Sequence, residues 1–112
     1  MSITIYNYTV NTEVYTRDKY LLSITIAIIY TIDNNSKFNY NGNHNQILFE
    51  PVIKFVIKEE FLKHKKDGIY DRFCNEHINN EIDKSIRTRL KNSEFFISDI
   101  LITDIKEKIL VN

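Results

Sequence analysis

The chain is poor in the residues on which common catalytic motifs depend, with one cysteine, one proline, two glycines and no tryptophan among 112 residues. Its only glycines are Gly42 and Gly68, which excludes a glycine-rich loop that cradles phosphates. No candidate nucleophile has His and Asp partners at a recognisable spacing. The sequence therefore predicts no enzyme activity, no catalytic residue, no cofactor and no small-molecule substrate. A small hydrolase is the least favoured function.

The single cysteine, Cys74, cannot form an internal disulfide, which favours a reducing compartment. Cys74 and His77 lie three residues apart and share one helical face, but two ligands from one turn do not make a metal site. Packing in the core is the expected role of a single thiol of this kind. We therefore predict no metal site, and we expect a cytoplasmic protein.

Long apolar runs and an excess of one charge are also missing. The longest apolar run, from Leu21 to Ile32, is interrupted by polar residues and is shorter than the roughly 20 residues that a spanning helix needs. The first residues, MSITIYNYTV, have neither a basic start nor an apolar core, so we predict no signal peptide and no transmembrane segment. Fifteen basic residues balance 15 acidic ones, which argues against a nucleic-acid partner. Contact with anionic lipid would need a local patch.

The length fits one domain over residues 1–112. Residues 2–10 are rich in β-branched and aromatic side chains and predict a strand that breaks at Asn11 and Thr12. A short extended piece and a turn at Asp18 and Lys19 follow, which gives a predicted hairpin over residues 12–33. Its long strand has one apolar face, made of Leu22, Ile24, Ile26, Ile28, Tyr30 and Ile32. This pattern favours a sheet that helices cover on one side.

The second half of the chain has helical spacing. A polar loop at residues 34–45 precedes a predicted helix over 47–63. Its regular part is predicted to begin near Phe49 or Glu50, because Pro51 is tolerated in the first turn but not deeper in a helix. A longer helix is predicted over 67–91, with Asp67 as its N-cap and with apolar side chains at every fourth position. Residues 95–105 predict a closing strand, with Ser98 and Ile100 on one face and Ile97 and Asp99 on the other. The fold class is α+β, a small antiparallel-rich sheet with two helices packed on it.

Four sequence motifs, in the order in which they occur along the chain, resemble those of the SPFH superfamily. This superfamily includes stomatin, prohibitin, flotillin and HflK/HflC-type proteins. TEVYTRDKYLLSITIAIIYTID is similar to the family's hairpin, with Lys19 where glycine is usual. ILFEPVIKFVIKEEF and DGIYDRFCNEHINNEIDKSIRTRL resemble its two helices, the second with an Ile-Tyr pair followed by Arg72. ISDILITDI is similar to its closing strand, with Asp99 and Asp104 on the family pattern.

The resemblance implies a non-catalytic, oligomerising scaffold domain that organises membrane microdomains or regulates membrane-bound partners. Its partners would be further copies of the chain or other SPFH-type subunits, with peripheral membrane contact. Family members carry a membrane anchor before this domain and a coiled coil after it, and only short segments flank the motifs here. We therefore expect that the membrane anchor and the coiled coil are either absent from the protein or were removed, if this chain is a fragment of a longer one. The alternative is a soluble, stand-alone protein-interaction module without a membrane role.

Two groups of residues are candidate sites. The basic run Lys63, His64, Lys65 and Lys66 is either a solvated helix end or a contact for lipid headgroups. The charges of the second helix are either a solvated face or a subunit interface, since neighbouring domains of the family sit side by side. The interface candidates are Asp71, Arg72, Arg87 and Arg89.

Overall fold

The computed structural model describes residues 5–32, 50–91 and 95–108. In chain order, these residues form β1 (Tyr6–Tyr15), β2 (Leu21–Ile32), α1 (Glu50–Phe61), α2 (Lys66–Ile69), α3 (Arg72–Arg89) and β3 (Phe95–Glu107). The three strands make one antiparallel sheet in the order β1-β2-β3. This architecture confirms the predicted α+β class. The predicted loop at 34–45 and the first three residues of the predicted helix at 47–63 lie outside the described residues.

The central strand β2 has the predicted apolar face. Leu22, Ile24, Ile26, Ile28 and Tyr30 are completely buried, while the intervening side chains are only half-buried. The side chain of Ile32, predicted for the same face, is outside the described part of the chain. Because successive side chains of a strand point to opposite faces, every second residue enters the core beneath the helices. The other face of the sheet carries no described helix.

The first strand is longer and more regular than the sequence predicted. It pairs without interruption from Tyr6, opposite Tyr30, to Tyr15, opposite Leu21. The predicted break at Asn11 and Thr12 is wrong, because the Asn11 side chain donates hydrogen bonds to the hydroxyls of two β2 residues and keeps the ladder intact. In the following turn Lys19 has φ 69°, a conformation that favours glycine. This backbone explains why glycine is usual at that position of the family pattern.

Two helices cover the apolar face of the sheet. In α1 the buried side chains include Ile53, Ile57 and Phe61, and Pro51 lies in the first turn, where its missing N–H breaks no helical bond. In α3 the buried side chains are Ile78, Ile82 and Ile86, at the predicted spacing of four residues. The two helices pack against each other, so the core is closed by a helix pair over a three-stranded sheet.

The long helix begins later than the sequence predicted. Asp67 lies inside the single turn α2, and the chain leaves helical geometry at Asp71, whose φ and ψ are −70° and 133°. The Asp71 carboxylate accepts a hydrogen bond from the Cys74 amide at 3.2 Å. Asp71 is therefore the N-cap of α3, and the assignment of this role to Asp67 is wrong.

Strand β3 departs from strict alternation at two β-bulges. Ser98 and Thr103 have no opposite residue in the described ladder with β2, which marks each as a bulged position. As a result the inward side chains are spaced by two, three, two and three residues: Phe95, Ile97, Ile100, Ile102 and Ile105. The prediction that Ile97 and Ile100 face opposite sides is wrong for this reason. The aspartates of the phrase ISDILITDI, Asp99 and Asp104, each directly follow a bulge.

Candidate functional site

At one end of the molecule, the turn between β1 and β2 is bonded to the segment that joins α1 to α2. The Arg17 amide donates to the His64 carbonyl at 2.8 Å, and the Lys66 amide donates to Asp18 Oδ1 at 3.0 Å. Thr16 is buried, and its hydroxyl donates to the same Asp18 oxygen at 2.7 Å. These bonds fix the backbone of two short segments that are far apart in the sequence.

The pKa values of two charged groups at this junction, Asp18 and Lys66, are shifted from their usual values. The hydrogen bond from Thr16, together with the Lys66 amide, holds the pKa of Asp18 below its usual range. The pKa of Lys66 is raised, first by its hydrogen bond to Glu107, whose carboxylate oxygens lie 3.2 Å from Lys66 Nζ. The same ammonium lies 4.1 Å from the centre of the Tyr20 ring. Both charged forms are thus stabilised at neutral pH.

The four residues of the basic run have different environments. Lys63 and Lys65 are exposed, and Lys63 Nζ lies 3.4 Å from Glu60 Oε1. His64 is half-buried, with Nε2 2.8 Å from Glu60 Oε2, and Lys66 is half-buried in its contact with Glu107. Two of the four predicted headgroup contacts, Lys63 and Lys65, therefore have exposed side chains, although that of Lys63 also contacts Glu60. The other two help to fix the local fold.

The structure adds two cations that the sequence analysis missed. Arg17 and Lys19, in the β1–β2 turn, are exposed and lie in the segment bonded to His64 and Lys66. Neither makes an ion pair within the described residues. The sequence indicated these cations only through the two basic residues of the segment TRDK. Nothing in that segment predicted which distant part of the chain it contacts. We call the exposed set Arg17, Lys19, Lys63 and Lys65 the basic end.

Exposed apolar side chains lie close in the sequence to the basic end. Tyr15, Tyr20 and Leu62 are each about half exposed, at 53%, 45% and 52%. Tyr15 and Leu62 line a groove of about 180 Å³ between β1 and α1, together with Glu13, Val14 and Lys58. Cations beside exposed tyrosine and leucine are the side chains found where proteins meet a membrane surface.

The four candidates for a subunit interface do not form one patch. Asp71 and Arg72 begin α3, whereas Arg87 and Arg89 end it, and the 15 residues from Arg72 to Arg87 separate them by about 22 Å along the helix. Arg87 binds within the chain, at 2.5 Å from Asp83 Oδ1 and 2.6 Å from the Ile97 carbonyl.

Arg89 is also engaged, 3.9 Å from Glu59 Oε2 and with its guanidinium 4.9 Å from the Phe55 ring centre. By contrast, Arg72 is 86% exposed, and its ion pair among the described residues is a long one, to Glu76 at 3.6 Å. Beside it Phe73 is 78% exposed, and a depression of about 490 Å³ separates this end of α3 from β3. Of the four candidates, Arg72 has the surroundings that best fit an intermolecular contact.

Other classes of site find little support. Within residues 5–32, 50–91 and 95–108, no group of three or more His, Cys, Asp and Glu side chains is arranged to hold a metal ion. Across the same part of the chain, no helix is both long enough and apolar enough to cross a membrane. The basic end and the exposed start of α3 therefore remain the surfaces of interest.

Comparison with known proteins gives the family. The model of the family described as SPFH domain / Band 7 family matches residues 1–109, nearly the whole chain. No curated protein matches the sequence significantly. The hairpin, the helix pair and the bulged closing strand agree with the phrases that first suggested this relationship. The chain belongs to the SPFH/Band 7 family.

Proposed function

We propose that this chain is a non-catalytic scaffold domain that binds the surface of a membrane through its basic end and assembles with further copies of itself. Proteins of the SPFH/Band 7 family are in general membrane-associated scaffolds and not enzymes. The observation that carries the proposal is the basic end itself, where four exposed cations lie on a hydrogen-bonded backbone, close in the sequence to exposed tyrosine and leucine side chains.

A fixed backbone favours binding because less conformational freedom is lost when the side chains meet their partner. Over residues 16–20 and 60–67 the chain has five Lys or Arg and three Asp or Glu, so the local balance is positive although the whole chain is neutral. Each Lys or Arg near an anionic membrane surface contributes about 1 kcal/mol. A handful of such contacts gives reversible, peripheral binding, which the exposed Tyr15 and Leu62 would strengthen.

The membrane contact is tested by flotation with vesicles of phosphatidylcholine, with and without phosphatidylserine. We expect the protein to float with the anionic vesicles, and the double variant Lys63→Gln/Lys65→Gln to bind at least ten-fold more weakly, since each lost cation removes about 1 kcal/mol. The matched control is Lys84→Gln/Lys91→Gln, which removes two exposed lysines from the other end of the helix layer. Equal loss in both double variants, or no flotation of the wild type, would refute the headgroup contact.

Assembly is proposed to use the start of α3. An exposed phenylalanine beside an arginine is a typical combination in protein interfaces. Arg72 lines the depression together with Ile102 and Ile105, and Phe73 is its exposed neighbour in the sequence. Light scattering on the purified chain should show a mass above that of the monomer, and Phe73→Ser should reduce it. Phe96→Ser, at an exposed position of β3, is the control and should leave the mass unchanged.

The same two measurements separate the scaffold from the stand-alone interaction module. A protein that remains monomeric and does not float with either vesicle would favour the module, with the start of α3 as its contact surface. A protein that floats as a monomer would retain the membrane contact and remove self-assembly from the proposal.

A further inference from the structure

Three chemically active side chains meet where the end of α1 faces the start of α3. His64 Nδ1 lies 3.8 Å from the Cys74 sulfur, within hydrogen-bond reach of a thiol, and His64 Nε2 lies 2.8 Å from Glu60 Oε2. We propose that Glu60, His64 and Cys74 form a thiol–imidazole–carboxylate relay that makes Cys74 a reactive site for small disulfides. The arrangement has a nucleophile, a base within reach of it, and a third group that orients the base.

The hydrogen bonds define the role of each imidazole nitrogen. Glu60 is 93% buried, with Oε1 3.4 Å from the Lys63 ammonium and Oε2 2.8 Å from His64 Nε2. In the proposed relay Glu60 is a carboxylate, which only accepts hydrogen bonds, so His64 Nε2 carries the hydrogen that is donated to Glu60. In the neutral ring the free lone pair is then on Nδ1, the nitrogen that faces Cys74. The carboxylate therefore holds the base in the tautomer that accepts the thiol proton.

The backbone around the relay is also fixed. The carbonyl of His64 accepts the Arg17 amide from the β1–β2 turn, and the Cys74 amide donates to the Asp71 carboxylate in the first turn of α3.

The other ionisable groups near the relay come from the segment after α1 and from α3 with its N-cap. The His77 ring centre is 6.3 Å from that of His64, and the Lys63 ammonium contacts Glu60. The Asp71 carboxylate accepts a hydrogen bond from the Cys74 amide. Among these neighbours, His64 is the base that lies within hydrogen-bond reach of the Cys74 sulfur.

The reaction is a thiol–disulfide exchange. The Cys74 proton passes to His64 Nδ1, and the thiolate attacks one sulfur of the disulfide RSSR. A new bond forms between Cys74 and SR as the original S–S bond breaks, and the departing RS⁻ takes the proton from the imidazolium to become RSH. The disulfide is the oxidant, and the products are one mixed disulfide and one thiol.

Two features indicate which disulfides would react with Cys74 and how long the product would last. Cys74 is half-buried, and it is the only cysteine of the chain, so it has no internal thiol to resolve the mixed disulfide. The product therefore persists as a modification until an external thiol reduces it. Lys63 and Lys65 flank His64 in the sequence, and Lys63 contacts its Glu60 partner, which favours a disulfide that carries carboxylates. Oxidised glutathione has this chemistry.

The test measures the rate at which oxidised glutathione modifies the protein from pH 5.5 to 9, followed by intact mass. An ordinary thiol is only about 0.3% thiolate at pH 6, so its rate falls about ten-fold for each pH unit below neutrality. We expect wild-type protein to react at pH 6 at least ten-fold faster than His64→Gln and than the chain unfolded in urea. Glu60→Gln keeps a hydrogen-bond acceptor but loses the charge, so its reaction rate at pH 6 should lie between those of wild type and His64→Gln.

The controls separate the relay from simple exposure of the thiol. His77→Gln removes the neighbouring imidazole without touching Cys74 and should keep the wild-type pH profile. Lys63→Gln should slow the reaction with oxidised glutathione more than that with uncharged hydroxyethyl disulfide. Each variant is compared at equal folded fraction, checked by circular dichroism. A His64→Gln profile that coincides with wild type, or a wild type no faster than the unfolded chain at pH 6, would overturn the proposal.

Discussion

Asn79 on α3 satisfies two backbone groups at the outer edge of β3. Its amide nitrogen donates to the Ile100 carbonyl at 3.3 Å, and its amide oxygen accepts the Ile102 N–H at 2.8 Å. Further along β3, the Arg87 guanidinium donates hydrogen bonds to the carbonyls of Ile97 and Ser98. An edge strand with free N–H and C=O groups is a template for unwanted strand pairing. The two side chains therefore close part of an edge that the sheet leaves open.

We expect Asn79→Ala to lower the free energy of unfolding by about 1–2 kcal/mol, because it leaves two half-buried backbone groups without their protein partner. The measurement is urea denaturation followed by circular dichroism. Asn80→Ala is the control, since Asn80 is the exposed neighbour on the same helix. Because alanine is the better helix former, Asn80→Ala should not lower the stability, and an equal loss in both variants would contradict the role of the edge contact.

Lys19 carries the left-handed backbone of the β1–β2 turn, with φ at 69°. A non-glycine residue is disfavoured there by about 1–2 kcal/mol, although glycine loses more freedom on folding. Lys19→Gly should therefore raise the stability by about 0.5–1 kcal/mol, and Lys19→Ala, which keeps the steric conflict, should not. A midpoint of thermal unfolding that is unchanged in the glycine variant would contradict this.

Tyr30 has a pKa of about 12, raised first by its burial and then by the nearby Tyr6 and Tyr8. Its folded pKa is above the unfolded value of 10.0, so between pH 10 and 12 the folded state holds a proton that the unfolded state loses. Stability must therefore fall as pH rises through this window, by at most about 1.4 kcal/mol per pH unit for one group. Denaturation of Tyr30→Phe should show a shallower decline between pH 10 and 12 than wild type.

Among the secondary-structure elements, α3 shows which of two candidate residues is the N-cap of a helix. The sequence offered two aspartates four residues apart, and local pattern alone favoured the first. In the structure Asp71 caps the helix, because a separate turn, α2, takes up residues 66–69. Asp71→Ala should cost about 1 kcal/mol of stability in urea denaturation, as the loss of an N-cap does. Asp67→Ala should change it by less than half of that, and the reverse order would reassign the cap.

The strands show where a periodic pattern is informative and where it fails. The apolar face of β2 was predictable because the period of two continues without interruption along the strand. In β3 the bulges at Ser98 and Thr103 shift that period twice, and a bulge adds one residue without any fixed residue type. The sequence therefore predicted the existence of β3 but placed Ile97 on the wrong face.

At the scale of the whole molecule, the sequence predicted only one of the two segments that form the basic end. The Lys63–Lys66 run is visible in the sequence as a cluster of charge. Its junction with Arg17 and Asp18 depends largely on backbone groups of two distant segments, which have no side-chain signature. The Cys74 relay was missed for a similar reason, since spacing indicated His77 as the neighbour of Cys74 and the fold brought His64 instead.

Salt dependence should separate the two components of the membrane contact. Screening shortens the range of exposed charges from about 10 Å at 0.1 M salt to about 3 Å at 1 M, so attraction of the basic end to phosphatidylserine should weaken steeply. Burial of Leu62 and Tyr15 is not screened, and it should leave a weak residual flotation at high salt.

We therefore expect Lys63→Gln/Lys65→Gln to lose binding at low salt and to approach wild type at high salt. Leu62→Ser should lower binding by a similar factor at every salt concentration. If Leu62→Ser floats like wild type throughout, the groove between β1 and α1 takes no part, and the contact is electrostatic alone.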